Sequence, residues 1–308
     1  VLRFTLRRIA LLGPVLIGVS LASFLMLHLI PGDPAVLLAG VDALPEQLNA
    51  IRREFGLSDP LPVQYARYIG RAARGDLGIS IRTREPVAAT LISRMAFTVQ
   101  LTLLSLTLAI AIGVSAGVVA ATHQNTWLDS GIMVLALVGV SMPSFWLGLL
   151  LLLVFAGILH WLPAGGSGGL EHLILPAIVL GASGAPVIAR LTRASMLEVI
   201  RQDYIRTLRA HGLSEFLVIY RHALRNAINP VITLVGLQFG LLLAGAVVVE
   251  TVFSLPGIGR LMVTAIFSRD YPMIQGGMLM VAVGFVLVNL LTDLTYAWIN
   301  PRIRYQRG

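Results

Sequence analysis

The chain contains no cysteine and no lysine, so each of its 23 basic residues is an arginine. Without thiols it can form no disulfide, iron–sulfur centre or thiolate metal site, and cysteine usage says nothing of the redox compartment. Without lysine there is no Walker A lysine, so the chain cannot cradle ATP in a P-loop of its own. Charge of either sign is scarce. Of 308 residues 12% are charged and 56% hydrophobic, too little charge to cover a soluble globule of this size. The formal charge of +8 does not point to nucleic acid, because the arginines gather at the flanks of apolar runs rather than on a polar basic domain.

What the sequence does have is apolar length. Six stretches lack Asp, Glu and Arg: residues 9–30, 95–128, 130–170, 173–189, 226–249 and 271–292. A membrane helix needs about 20 apolar residues, and a charge at its centre costs about 2.5–3.5 kcal/mol on insertion scales. The expected fold is therefore all-α, a polytopic membrane protein with six transmembrane helices. The third stretch is read as one helix bent near Pro143, because 162–169 reads as loop. The fourth, with Pro176 and Pro186, is read as a kinked span. Trp127, Trp161 and Trp298 read as interfacial anchors.

Six spans place both termini on one side, and arginine marks that side as cytoplasmic. Arg190, Arg193, Arg201, Arg206, Arg209, Arg221 and Arg225 lie between spans four and five, Arg3, Arg7 and Arg8 precede span one, and Arg302, Arg304 and Arg307 follow span six. The first apolar run is too long for a signal peptide and lacks an Ala-x-Ala site, so it reads as a retained span. The expected division is 1–30, cytoplasmic N-terminus and first span; 31–94, an external helical segment; 95–299, a five-helix core holding a cytoplasmic loop at 190–227; and 300–308, a cytoplasmic tail. In the external segment Leu44, Leu48, Ile51 and Phe55 have helical spacing ended by Gly56, and a second helix follows Asp59 with Tyr65, Tyr68 and Ile69 on one face. It reads as a cap, either structural support or a docking surface.

The loop 190–227 has the densest charge. Asp203 can cap a helix Tyr204 to His211, Arg206 and Arg209 sit toward its C-terminal half, which favours positive charge, and Gly212 supplies the left-handed residue that ends it. Ser214 and Glu215 start the next helix, with Leu213 and Val218 as a hydrophobic staple. A short helix held at a set angle by a glycine hinge is a lever; on charge alone, an amphipathic linker lying on anionic headgroups fits equally well.

The run Asp203-Tyr204-Ile205-Arg206-Thr207-Leu208-Arg209-Ala210-His211-Gly212-Leu213, with Arg221-His222-Ala223-Leu224-Arg225-Asn226-Ala227 and Pro230, resembles the coupling-loop (EAA) motif of ABC-importer permeases, above all the dipeptide/oligopeptide/nickel group. Supporting matches are Pro31-Gly32-Asp33-Pro34, Gly75-Asp76-Leu77-Gly78-Ile79-Ser80, Ser141-Met142-Pro143-Ser144-Phe145, Glu250 with Phe253, Pro256-Gly257-Ile258-Gly259, Arg269-Asp270-Tyr271-Pro272, Gln275-Gly276, and Asn289-Leu290 with Asp293. The early Pro-Gly-Asp-Pro and the long external segment resemble the B-type subunit. Two departures stand out: Arg206-Thr207-Leu208 replaces Glu-Ala-Ala, and Asn300 stands where relatives often have Asp. The resemblance implies the type I ABC importer permease fold in a bacterial plasma membrane and a heteromeric complex. In it a C-type permease pairs with this chain, two ABC ATPase subunits bind ATP and Mg below, and an extracytoplasmic substrate-binding protein delivers cargo above. The permease itself would bind no cofactor and catalyse no reaction. Dipeptides or oligopeptides are the expected cargo, with nickel chelates, glutathione, sugars or haem as alternatives. The implied coupling residues are Asp203, Tyr204, Arg206, Thr207, Arg209, Ala210, His211 and Gly212.

Polar groups at membrane depth are the pathway candidates: Ser141 and Ser144 beside Pro143, Thr233, Gln238 and Asn289. Helix-to-helix hydrogen bonds explain most such residues. A proton-coupled carrier needs ionisable groups within the spans, and the six windows hold none apart from histidines near span ends. Neither His28 nor His160 has a partner at metal-ligand spacing. An intramembrane hydrolase lacks a mid-span base to activate a serine. An ion channel stays open on hydropathy but gives no reason for the lever.

Overall fold

The computed structural model describes residues 2–29, 33, 35, 36 and 43–299. Pro31, Gly32, Pro34 and Asn300 onward lie outside the described residues, as do the side chains of His28, Asn289, Asp293 and Trp298. The described residues are helical, with one isolated antiparallel bridge between Ile79 and Pro86. Helices α1 (Leu2–Leu29), α2 (Pro45–Phe55), α3 (Leu61–Ala72), α4 (Val87–Thr122), α5 (Trp127–Ser141) and α6 (Ser144–Leu151) come first. They are followed by α7 (Glu171–Ile200), α8 (Asp203–Ala210), α9 (Leu224–Val252), α10 (Ile258–Phe267) and α11 (Tyr271–Ile299). Two π-helical segments, π1 (Leu152–Ile158) and π2 (Leu217–Ala223), extend α6 forward and α9 backward.

Four helices among the described residues are long and apolar enough to cross a membrane, and α5 with α6–π1 makes a fifth if the bent pair is one span. α1 has 28 residues, and at about 1.5 Å per residue this is ample for a bilayer; its described apolar part, Gly13–Leu25, is by itself shorter than a span. In lipid every backbone N–H and C=O must be satisfied internally, and helices do so whatever their side chains. The helices accordingly run past the points where charge begins. α7 continues to Ile200 rather than ending near 189, and carries Pro176 and Pro186 inside it. The fifth span begins with π2 at Leu217 rather than at 226. The bend near Pro143 is a break of 101°, far more than a kink: Met142 is extended, Pro143 starts α6, and Pro143 has no N–H to carry the ladder across.

The chain folds as two compact units. The first comprises the described residues within 1–97 and 256–290. In it, the aromatic face of α3 packs on α1: the Tyr65 hydroxyl lies 2.8 Å from Ser20 Oγ, the Tyr68 hydroxyl 3.3 Å from Ser23 Oγ, and Phe24 meets both rings. Ser23 donates to the Gln275 carbonyl at 3.1 Å and Gln275 Nε2 returns a bond to the Ser23 carbonyl at 3.1 Å, fastening α1 to α11. Asp270 heads α11 and is 3% exposed. Its carboxylate accepts from Ser80 Oγ at 2.5 Å, Ile81 N at 3.2 Å and Met273 N at 3.4 Å, so it caps α11 and latches the 80–82 turn at once. On the exposed side Arg71 beside Asp76, and Arg52 beside Asp33, hold those carboxyls below their ordinary range.

The second unit comprises, among the described residues, 98–255 and 291–299. Here α4 and α7 approach so closely that a Cβ on Gly113 would lie 2.7 Å from the Ala185 carbonyl, and one on Gly117 2.6 Å from the Ala189 carbonyl. Small residues four apart permit this, and in lipid such close packing replaces the hydrophobic drive. Glu250, fully buried on α9, accepts from Thr98 Oγ1 at 2.5 Å.

Candidate coupling site

The elbow begins where α7 ends. Only Arg201 and Gln202 separate it from α8. Gln202 occupies the N-cap with extended backbone and no side-chain cap, so Asp203 is the first helical residue rather than the cap. There its charge still favours the helix N-terminus, and it lies 3.7 Å from Arg206. At the other end His211 is the C-cap and Gly212 takes φ 77°, with its N–H donating to the Arg209 carbonyl at 2.9 Å and Leu213 N to the Leu208 carbonyl at 3.4 Å. A side chain is disfavoured at such φ, whereas glycine is not.

One face of α8 is anchored. Ile205 is fully buried in a cluster with Val118 and Ala121 of α4, Met196 and Val199 of α7, Val218 and Ile219 of π2, and Ala227 of α9; Tyr204, Leu208 and Leu213 pack against its edge. Tyr204 adds a polar tie, its hydroxyl accepting from Asn226 Nδ2 at 2.8 Å. The opposite face is open: the side chain of Asp203 is 98% exposed and that of Arg206 80%, and Thr207, Ala210, His211 and Gly212 are exposed too. Arg209 donates from Nε and Nη2 to Glu215 at 3.0 and 2.5 Å, closing the turn between α8 and the next helix. The guanidinium holds the Glu215 carboxyl below its usual range, and the carboxylate raises Arg209 in return. Past Ser214 the helix runs through π2 into α9 without a break, so α8 is tied to two spanning helices by its seat and its two short links.

The pathway candidates occupy unlike environments. Ser141 and the break at Met142–Pro143 line an open groove of about 530 Å³ with Leu137, Phe145 and Trp146. Ser144 is half-buried at the start of α6. Thr233 is half-buried, its hydroxyl turned to the Asn229 carbonyl in its own helix. Gln238 is 5% exposed, and its Nε2 lies 3.5 Å from the Gly184 carbonyl, a bridge between α9 and α7. Asn289 is on α11, its side chain outside the described residues.

Three polar constellations escaped sequence reasoning: Asp129 with Arg193, Ser80 with Asp270, and Thr98 with Glu250. Asp129 figured there only as the charge separating two apolar windows, and Arg193 only as one arginine among many. The short Gly75–Ser80 and Arg269–Pro272 motifs pointed at the second pair without saying that they meet.

A bundle of long apolar helices, bearing a short helix whose inner face is packed against them and whose outer face is bare, defines a polytopic membrane protein. The chain belongs to the family described as the binding-protein-dependent transport system inner membrane component, whose pattern matches residues 113–305, while the N-terminal region of such components matches residues 1–102. It is 47% identical over 99% of its length to the whole of a dipeptide transport system permease protein of Alkalihalophilus pseudofirmus, and 46% identical over 99% of its length to the whole of a glutathione transport system permease protein of Escherichia coli K12. The fold is that of the inward-facing methionine ABC transporter, with a TM-score of 0.59 and 18% identity over 68% of this chain and 96% of that one. An amino acid ABC transporter matches with a TM-score of 0.51 and 15% identity over 70% of this chain and 94% of that one. The chain is thus a multi-pass inner-membrane permease of an ABC importer, a class that works with ATPase and substrate-binding partners.

Proposed function

We propose that the chain is the B-type half of a heteromeric peptide importer, and that α8 is the helix through which two ATPase subunits drive it. The observation that carries this reading is the two-sidedness of α8: Ile205 is fully buried in the bundle while Arg206, one residue on, is 80% exposed. A lipid-lying linker would turn its apolar face outward; here that face is turned in. The outer residues Asp203, Arg206, Thr207, Ala210 and His211 touch the ATPase, Tyr204 and Arg209 brace the helix, and Gly212 sets its angle. ATP and Mg sit on the partners, and closure of the ATPases moves α8 as a rigid body that the packed spans turn into alternating access.

A C-type permease completes the pathway, both termini and the loop 190–227 face the cytoplasm, and the segment 31–94 faces the binding protein. The core 95–299 lines the route, with Ser141, Ser144, Thr233, Gln238 and Asn289 as its polar positions. The named relatives carry a dipeptide and glutathione, both short peptides with free carboxylates, so short peptides are the cargo class; nickel chelates and haem are the alternatives.

The test is co-expression with the neighbouring transport genes and reconstitution in proteoliposomes. Co-purification with two chains bearing Walker A motifs, and vanadate-sensitive dipeptide uptake dependent on the binding protein, is the expected outcome. Uptake by this chain alone, or ion conduction by a homo-oligomer, would overturn the reading.

A further inference from the structure

Helix α5 rests on α7 through two unlike contacts. Near the start of α5, Asp129, 4% exposed, accepts from Arg193 Nε at 2.6 Å and Nη2 at 2.7 Å, a bidentate pair, and from Asn125 N at 3.1 Å. Thr126 caps the same helix. Ten residues on, about 15 Å along the axis, Gly139 lies against the Pro186 ring, where a Cβ would come within 3.0 Å. Pro186 has no N–H, and the carbonyl it leaves without its usual helical donor, Ala182, also faces Gly139. The first contact is directional and holds; the second is smooth and has no side chain on one side.

At its far end α5 stops at the 101° break before α6, so it is a separate rod of 15 residues. At the near end, Arg193 stands two turns before Ile200, where α7 hands over to α8. One residue from Arg193, the Thr192 hydroxyl is buried against α4 with no hydrogen-bond partner among the described residues.

We propose that the Asp129–Arg193 pair is the tow point of the transporter: motion of α8 carried along α7 pulls the start of α5 through this pair, and α5 swings about the Gly139–Pro186 contact to move the break at Met142–Pro143. The two are positioning residues; they touch neither ATP nor cargo. A bidentate guanidinium–carboxylate fork, short and largely out of water, resists sliding in a way that apolar packing does not. This rests on α8 being the ATPase-driven helix.

The test uses the reconstituted complex with Arg193→Gln, Asp129→Asn and the exchange Asp129→Arg with Arg193→Asp. Each single variant is expected to lower cargo moved per ATP hydrolysed by about tenfold while ATP hydrolysis per assembled complex stays near the parent value, and the exchange is expected to regain a part of the loss. Since the chain has no cysteine, spin labels placed at Trp127 and the exposed Gln202 alone give the second readout. In the parent their separation stays constant between nucleotide states; in Arg193→Gln it changes. A parent separation that changes with nucleotide, or single variants that lose uptake and hydrolysis in equal proportion or lose neither, would overturn the tow point. Absence of ATP-driven uptake in the parent complex would instead sink the importer reading beneath it.

Discussion

The latch at Asp270 and the elbow at α8 are both built from charged residues in turns, yet they spend their charge in opposite ways. Asp270 is 3% exposed and turns its carboxylate onto a serine and backbone N–H groups, which leaves nothing to offer a partner. The elbow buries Ile205 and leaves Asp203 and Arg206 in the open. A buried, saturated carboxylate fixes one geometry, because every alternative strands donors away from water. Exposed charges on a firmly seated helix add little to the fold beyond their effect on the helix ends, and stay free to meet a partner. The latch belongs to the fold, and the elbow is the surface that we propose the ATPases engage.

That contrast can be broken by substitutions at four positions. The largest effect belongs to Asp270→Ala, which leaves the Ser80–Ile81 donors and the start of α11 without an acceptor; it is expected to cost about 3 kcal/mol or more of stability. Detergent-stable yield should fall and exchange at 80–82 rise, while the surviving complex keeps its ratio of uptake to ATP hydrolysis. Ile205→Ala removes the anchor of α8, at about 2–4 kcal/mol. Here the opposite pattern is expected: a folded complex that hydrolyses ATP with little uptake. Were Asp270→Ala to uncouple and Ile205→Ala only to unfold, the distinction between latch and elbow would be wrong.

Gly212→Val comes next. No atom lies within 4 Å of a Cβ built there, so the cost is conformational alone, about 1–2 kcal/mol for a left-handed position. Uptake should drop, and Gly212→Asn, which tolerates this conformation, should restore most of it. Unchanged uptake in Gly212→Val would show that the elbow's angle does not matter.

The smallest effect is at Arg209–Glu215, a half-open pair worth about 0–1 kcal/mol and screened by salt. Because the Glu215 carboxyl is held below its ordinary value of 4.5, its stabilisation is complete above that value and is lost as the pH falls through the lower folded value. Glu215→Gln should therefore shift thermal stability by a degree or so at neutral pH, measured by scanning fluorimetry, and by nothing once the parent carboxyl is protonated.

Much of this molecule was legible in its residues because the signals are local. Apolar runs located the spans, Gly56 and Gly212 marked helix ends that do adopt left-handed backbone, and Tyr65 and Tyr68 announced the face of α3 that packs. Pro143 gave the break but not its angle, since a proline says only that the ladder stops and the size of the turn belongs to packing. Ser214 marked the start of the helix that runs through π2 into α9, whereas the end of α7 lies beyond its apolar window because hydropathy tracks the bilayer and backbone hydrogen bonding continues past it. The pairs Asp129–Arg193 and Ser80–Asp270 join residues 64 and 190 positions apart; no periodicity or capping rule operates over such separations, so only the folded chain displays them.

The central claim is that the outer face of α8 meets an ATPase. A chain free of cysteine allows a direct measurement: single cysteines at Ile205, Thr207 and Ala210, treated with a short bifunctional reagent in the intact complex. Cross-links to the ATPase from Thr207→Cys and Ala210→Cys, altered by nucleotide, and none from Ile205→Cys, are the predicted result. Capture of lipid or of the chain's own helices at the exposed positions, with no ATPase adduct in any nucleotide state, would contradict it.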